Sequence, residues 1–88
     1  MDYELFTYPN CPRCDALKSS LAQTDWEGST YDLTRREGKL RIREYLKILK
    51  RDDKGAIILP TLIVKQGEAA AAVINNREEL ADWLRSKA

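Results

Sequence analysis

Residues 8–14 read YPNCPRC and contain both cysteines of the chain, Cys11 and Cys14. The two residues between them give a C-x-x-C spacing, which occurs in metal sites, in structural disulfides and in redox-active dithiols. The length of 88 residues predicts a single domain, residues 1–88. Which kind of site the cysteines form depends on what precedes and follows them in the chain.

Secondary-structure signals place this motif between a strand and a helix. Residues 3–7, YELFT, are rich in aromatic side chains and end before a turn signal, which predicts a strand. Asn10 is a residue type that caps helices, and Cys14, Leu17 and Leu21 follow at helical spacing. We therefore expect a helix that starts at the first cysteine and is capped by Asn10.

The rest of the chain continues the alternation of strands and helices. We predict a loop at 24–29, strands at 30–33, 60–64 and 70–74, a turn at 66–68, a helix from a Thr34 capping box to Leu49, and a last helix capped by Asn76. The order β-α-β-α-β-β-α implies a parallel strand pair followed by an antiparallel hairpin. The predicted class is α/β, with a four-stranded mixed sheet flanked by three helices.

Charge and hydropathy exclude several functional classes. The net charge is +1, although residues 35–54 carry nine Lys or Arg against four Asp or Glu. This basic segment is interpreted as a solvated helix face, and we expect no nucleic-acid partner. No apolar run approaches the roughly 18 residues of a membrane span, and the first residues lack a secretory signal pattern. We therefore expect no membrane partner and a cytoplasmic location.

The alternatives to redox chemistry fit the cysteines less well. A structural zinc ion needs four ligands, whereas the chain has two cysteines and no histidine, so we expect no metal. A metal shared between two chains stays open as an alternative. A purely structural disulfide is disfavoured because cytosolic thiols are kept reduced.

A redox dithiol fits the motif in three respects. The C-x-x-C spacing across a helix start lets both sulfurs approach each other. At a helix N-terminus Cys11 faces unpaired N–H groups, and Arg13 adds positive charge; such settings lower a cysteine pKa from about 8.5 to roughly 3.5–7.5. Cys14 lies one turn further on the apolar face, and Pro12 fits the first helical turn. We therefore expect Cys11 to be the nucleophile and Cys14 the resolving thiol.

These motifs together resemble the glutaredoxin family. The resemblance rests on YPNCPRC after the first strand, on Leu59-Pro60-Thr61 before a buried strand, and on the acidic start of the last helix. It implies a thioredoxin fold in which Pro60 is cis. It also implies that the backbone of Leu59 pairs with a bound thiol such as glutathione.

The resemblance further implies a glutathione site, in which this chain departs from the family pattern. Tyr8 stands where a lysine usually meets a glutathione carboxylate, and Ile58-Leu59 replace Thr-Val. Asn75-Asn76 replace a pair of glycines, and Glu78 stands where the family has Asp. We predict that Tyr8, Leu59, Asn76, Arg77 and Glu78 contact the ligand.

The predicted function is therefore a monomeric thiol–disulfide oxidoreductase that reduces protein disulfides or glutathione mixed disulfides, with glutathione as reductant. Two alternatives remain. One is a redoxin recharged by thioredoxin reductase, because the redoxins that serve ribonucleotide reductase share the P-N-C-x-x-C form. The other is a carrier that holds an iron–sulfur cluster or a soft metal, since thiolates suit such metals.

Overall fold

The computed structural model describes residues 1–87, and within them strands and helices follow the predicted order β-α-β-α-β-β-α. The elements are β1 (Asp2–Thr7), α1 (Pro12–Ala22), β2 (Glu27–Asp32), α2 (Arg36–Ile42), β3 (Thr61–Gln66), β4 (Ala69–Ile74) and α3 (Arg77–Lys87). A 3₁₀ turn, Arg43–Tyr45, follows α2. The predicted α/β class, with four strands and three helices in the described part of the chain, is confirmed.

Strand β1 lies inside the sheet, because it pairs with β2 on one side and with β3 on the other. β2 is parallel to β1, β3 is antiparallel to β1, and β4 is antiparallel to β3. The sheet is therefore mixed, as predicted, and has the order β2-β1-β3-β4. β1, β2 and β4 point the same way, so the helices that follow them begin at one edge of the sheet, where β3 also starts.

The two faces of the sheet carry separate apolar clusters, because successive side chains of a strand point to opposite faces. The first cluster joins the sheet to α1 and α3, and its buried members are Leu5, Leu17, Leu21, Leu62, Val64, Ile74 and Leu80. The second joins the other face to the α2 region through Phe6, Leu33, Ile42, Leu49 and Ile63. Helices thus cover both faces of the four-stranded sheet.

Strand β2 starts earlier than the sequence indicates. Residues 27–29 read Glu-Gly-Ser, which favours a loop, yet they belong to β2. They pair with β1 in register, beginning with Glu27 opposite Asp2. Pairing with a neighbouring strand overrides local propensity here, so the predicted loop at 24–29 is wrong in its second half.

Helix α2 is shorter than predicted, and the Thr34 capping box does not form. Thr34 donates its N–H and its hydroxyl to the carboxylate of Asp32, at 2.8 and 2.6 Å, and these bonds lower the pKa of Asp32. Arg35 is the N-cap instead, without a side-chain hydrogen bond. The α-helix ends at Ile42 and tightens into the 3₁₀ turn, so the prediction of a helix up to Leu49 is wrong. Threonine competes locally for hydrogen bonds, which explains the lost cap.

Backbone geometry favours glycine at all four glycine positions, and Gly38 and Gly67 bear most on the fold. Gly38 is buried where α2 crosses the end of β2, and a Cβ there would overlap the carbonyl oxygen of Asp32. Glycine weakens a helix by about 1 kcal/mol relative to alanine, but at this position it permits the close approach. Gly67 has φ +66° in the turn between β3 and β4, which confirms the predicted turn at 66–68.

A buried carboxylate joins β1 to the α2 region. Glu4 is 5 % exposed, and its carboxylate accepts hydrogen bonds from the Arg41 guanidinium and the Tyr45 hydroxyl, with the Lys65 ammonium 3.5 Å away. Burial opposes ionisation, but the hydrogen bonds from Arg41 and Tyr45 and the two positive charges outweigh it and lower the pKa of Glu4. Burial and the bond to Glu4 raise the pKa of Tyr45 to about 12. Glu4 is therefore ionised and paired at neutral pH.

We expect Arg41→Met to lower the free energy of unfolding at pH 7 by about 1–3 kcal/mol, because the buried Glu4 carboxylate loses its main donor. The folded-state pKa of Glu4 lies below its ordinary value of 4.5, so this contribution is present above pH 4.5. It is lost as the pH falls through the folded-state pKa. Urea unfolding at pH 7 and at pH 2.5 checks both statements, since the difference from wild type should shrink in acid.

Arg43→Met is the matched control, because Arg43 is exposed and lies in the adjoining 3₁₀ turn. Its effect should stay within about 0.5 kcal/mol at both pH values. Equal losses in the two variants would contradict the role assigned to the Glu4–Arg41 pair.

Candidate functional site

The cysteine motif lies where β1 ends and α1 begins. Asn10 has φ +56°, a left-handed conformation that asparagine adopts more readily than most residues. It turns the chain and is not the helix cap, so that prediction is wrong. Cys11 is the N-cap, and its Sγ accepts a hydrogen bond from the N–H of Cys14 at 3.1 Å. Pro12 occupies the first helical position, where no N–H is needed.

The two cysteine sulfurs are bonded to each other, with the Cα atoms 5.2 Å apart. They differ strongly in accessibility. Cys14 is 1 % exposed and belongs to the buried face of α1, whereas Cys11 is partly exposed beside the exposed Pro12 and Arg13. A reagent or substrate in solution can therefore approach the Sγ of Cys11 but not that of Cys14. The N–H that donates to Cys11 favours its thiolate when the bond is open.

The segment before β3 reaches the same edge of the sheet. The Leu59–Pro60 peptide bond is cis, as the family resemblance implied, and Pro60 is fully buried. The N–H and the C=O of Leu59 have no hydrogen-bond partner within residues 1–87. Its side chain packs against the second apolar cluster. Leu59 can therefore offer two backbone hydrogen bonds to a molecule outside the chain.

A groove of about 610 Å³ joins the starts of α1 and α3. Five residues predicted from the sequence line it, namely Pro12, Arg13, Asn76, Arg77 and Glu78. Ile58 closes it from the side of the cis-proline segment. Tyr8 and Leu59, also predicted as contacts, are not part of this lining; Tyr8 is 46 % exposed on the loop after β1.

Helix α3 has the predicted cap. The Asn76 side-chain oxygen accepts a hydrogen bond from the N–H of Glu79 at 2.8 Å, which confirms Asn76 as the cap. The Glu79 carboxylate in turn accepts the N–H of Asn75 at 2.8 Å. Arg77 and Glu78 are exposed and 3.4 Å apart. The groove therefore borders the positive N-terminal end of α3. Directly after the cap, Arg77 adds a positive charge and Glu78 adds a carboxylate.

Sequence reasoning missed three residues of the groove lining, of which Asn75 makes the most contacts; the other two are Ala16 and Ile58. Asn75 is 5 % exposed. Its amide nitrogen donates to the carbonyl oxygens of Ile58 and Pro60, both at 3.0 Å, and lies 3.3 Å from the Thr61 hydroxyl. Its amide oxygen is buried and has no hydrogen-bond partner among the residues that the structure describes. The only signal in the sequence was an asparagine in place of a glycine before the helix cap.

The described residues show no group of three or more His, Cys, Asp or Glu side chains that would hold a metal ion. No helix within residues 1–87 is long and apolar enough to cross a bilayer. The features that come together at the sheet edge are thus a disulfide with one accessible sulfur, a segment with free backbone groups and a polar groove.

Comparison with known proteins adds no relative: no family model, no curated protein and no solved structure matches the chain. The likeness to glutaredoxins therefore rests on the motifs of this sequence alone.

In the reduced protein, we expect iodoacetamide to alkylate Cys11 at least about tenfold faster than Cys14, because thiolate access controls the rate and Cys14 is buried. Quenched labelling at pH 7 followed by peptide mass spectrometry gives the two rates. Equal rates would contradict the assigned order of reaction of the two thiols.

We also expect Arg13→Glu to move the alkylation profile of Cys11 to higher pH by roughly 0.5–1 unit, because a nearby negative charge disfavours the thiolate. Lys18→Glu makes the same charge change at an exposed position further along α1 and should shift the profile less. An unchanged profile in Arg13→Glu would show that the helix N-terminus alone sets the reactivity of Cys11.

Proposed function

We propose that this protein is a thiol–disulfide oxidoreductase with a thioredoxin-like fold, in which Cys11 and Cys14 are the reacting pair. The observation that carries the proposal is the asymmetry of the two sulfurs: Cys11 caps a helix and is accessible, while Cys14 is buried behind it. A purely structural disulfide needs no such asymmetry. The sheet order β2-β1-β3-β4 and the helices on both faces are compatible with that fold.

The first step is attack on a substrate disulfide. The Cys11 thiolate displaces one sulfur of the substrate, so that a Cys11–substrate mixed disulfide forms and one substrate thiolate leaves. The N–H of Cys14, which lies 3.1 Å from the Cys11 sulfur, stabilises the thiolate before the attack. The leaving thiolate takes its proton from solvent.

The second step closes the protein disulfide. Cys14 loses its proton to solvent, its thiolate attacks the sulfur of Cys11, and the second substrate thiolate leaves. Two electrons have then passed from the dithiol to the substrate, and the Cys11–Cys14 bond remains. The 5.2 Å between the two Cα atoms lies within the usual range for a disulfide, so closure needs no large movement.

The groove fits a peptide-like thiol or disulfide such as glutathione. The N-terminus of α3 and Arg13 and Arg77 suit a carboxylate, and Glu78 suits an ammonium group. The free N–H and C=O of Leu59 suit a peptide backbone. Tyr8 lies outside the groove lining and is not assigned a contact there. We propose glutathione as the reductant, disulfide-bearing proteins as substrates and the reducing cytoplasm as the setting.

The decisive experiment is the reduction of a glutathionylated peptide, coupled either to glutathione and glutathione reductase or to thioredoxin reductase. We expect NADPH oxidation to be supported by glutathione. Turnover with thioredoxin reductase alone would remove glutathione as reductant and assign the protein to the other branch of redoxins. No turnover with either donor would contradict the proposed function.

Single-cysteine variants provide the matched controls. Cys11→Ser should lose at least about 10³-fold of the activity, because the attacking thiolate is gone. Cys14→Ser should keep reduction of the glutathionylated peptide, because a second glutathione can release the Cys11–glutathione mixed disulfide. It should lose reduction of protein disulfides. An active Cys11→Ser variant would show that the roles are wrongly assigned.

A further inference from the structure

The side chain of Asn75 holds the segment that precedes β3. Its amide nitrogen has two hydrogens and contacts the carbonyl oxygens of Ile58 and Pro60, both at 3.0 Å. The Thr61 hydroxyl, 3.3 Å from the same nitrogen, donates to the Ile58 carbonyl oxygen at 2.7 Å. One asparagine side chain therefore fixes the carbonyl groups on both sides of Leu59.

Leu59 itself is left out of this network. The N–H of Ile58 is bonded to the Lys50 carbonyl oxygen at 3.2 Å, so the backbone before Leu59 is fixed as well. Leu59 keeps both backbone groups unpaired within residues 1–87. We propose that Asn75 is a positioning residue, which holds the Ile58–Pro60 segment so that Leu59 presents its N–H and C=O to the backbone of a peptide disulfide. The proposal rests on the proposed function.

Asn75 is itself firmly placed. Its own N–H donates to the Glu79 carboxylate, and the N–H of Glu79 donates to the cap residue Asn76, both at 2.8 Å. The Glu79 carboxylate also pairs with the Lys50 ammonium at 3.3 Å. Hydrogen bonds therefore join the cap of α3 to the segment before β3, and residues of both line the groove.

The amide nitrogen of Asn75, and not its amide oxygen, makes the side-chain hydrogen bonds to the segment before β3. Within the described part of the chain this oxygen is buried without a partner, whereas the amide nitrogen contacts three acceptors. A side chain that only filled space would not require a donor at this position. Glycine, which the family resemblance puts here, has no side chain to make these bonds.

The test compares two disulfides in single-turnover experiments with the pre-reduced protein. Bis(2-hydroxyethyl) disulfide has no peptide backbone, whereas a disulfide-bridged peptide pairs with Leu59. We expect Asn75→Ala to lower the second-order rate constant for the peptide by on the order of 10- to 100-fold, chiefly through a higher half-saturating peptide concentration, because a displaced binding group costs that much. The rate with the small disulfide should stay within about twofold of wild type.

A second readout is independent of activity. The backbone order parameter of the Leu59 amide should be near 0.85 in wild type and fall below about 0.6 in Asn75→Ala. Asn75→Asp, which keeps the shape and removes the donor, should act like Asn75→Ala. Leu21→Val, in the first apolar cluster and therefore on the other face of the sheet from the Leu59 side chain, controls for lost stability and should leave the ratio of the two rates unchanged.

Three outcomes would overturn the inference: a peptide rate that stays at the wild-type value, an equal loss with both disulfides, or order parameters that do not change. A wild-type protein that reduces neither disulfide would instead overturn the proposed function. The order parameters alone would then test whether Asn75 holds the Ile58–Pro60 segment.

Discussion

The pairing of β1 with a parallel strand on one side and an antiparallel strand on the other locates every feature of the candidate site. Because β1 and β2 are parallel and β3 is antiparallel, the end of β1 lies beside the start of β3. The loop that carries Cys11 therefore leaves the sheet next to Pro60. Leu5 and Phe6, which point to opposite faces, are fully buried, so the strand cannot shift in register without exposing one cluster.

The same topology brings the start of α3 to this edge. β4 runs parallel to β1, so α3 begins on the side where α1 begins, and the groove forms between the two helix starts. A helix start supplies free N–H groups and positive potential without a charged side chain. One such start receives the Cys11 sulfur, and the other faces the groove. The electrostatics of the site thus come largely from the backbone.

The contacts of Asn75 show what the asparagine pair at positions 75 and 76 does in this structure. The resemblance to glutaredoxins puts two glycines where this chain has Asn75 and Asn76. The structure shows that the first asparagine points into the protein and holds the neighbouring segment, while Asn76 caps α3. Both asparagines therefore shape the groove at the start of α3.

The sequence by itself determined the order of the elements, the position of the dithiol at a strand-to-helix junction, the cap at Asn76 and the turn at Gly67. These are local signals, since periodicity, capping and turn chemistry act over a few neighbouring residues. Only the tertiary structure decided what depends on contacts between distant segments. The start of β2 at Glu27 was set by pairing with β1, against its propensity. The bonds from Asn75 to Ile58 and Pro60 span 17 and 15 residues, and no local pattern encodes such a contact.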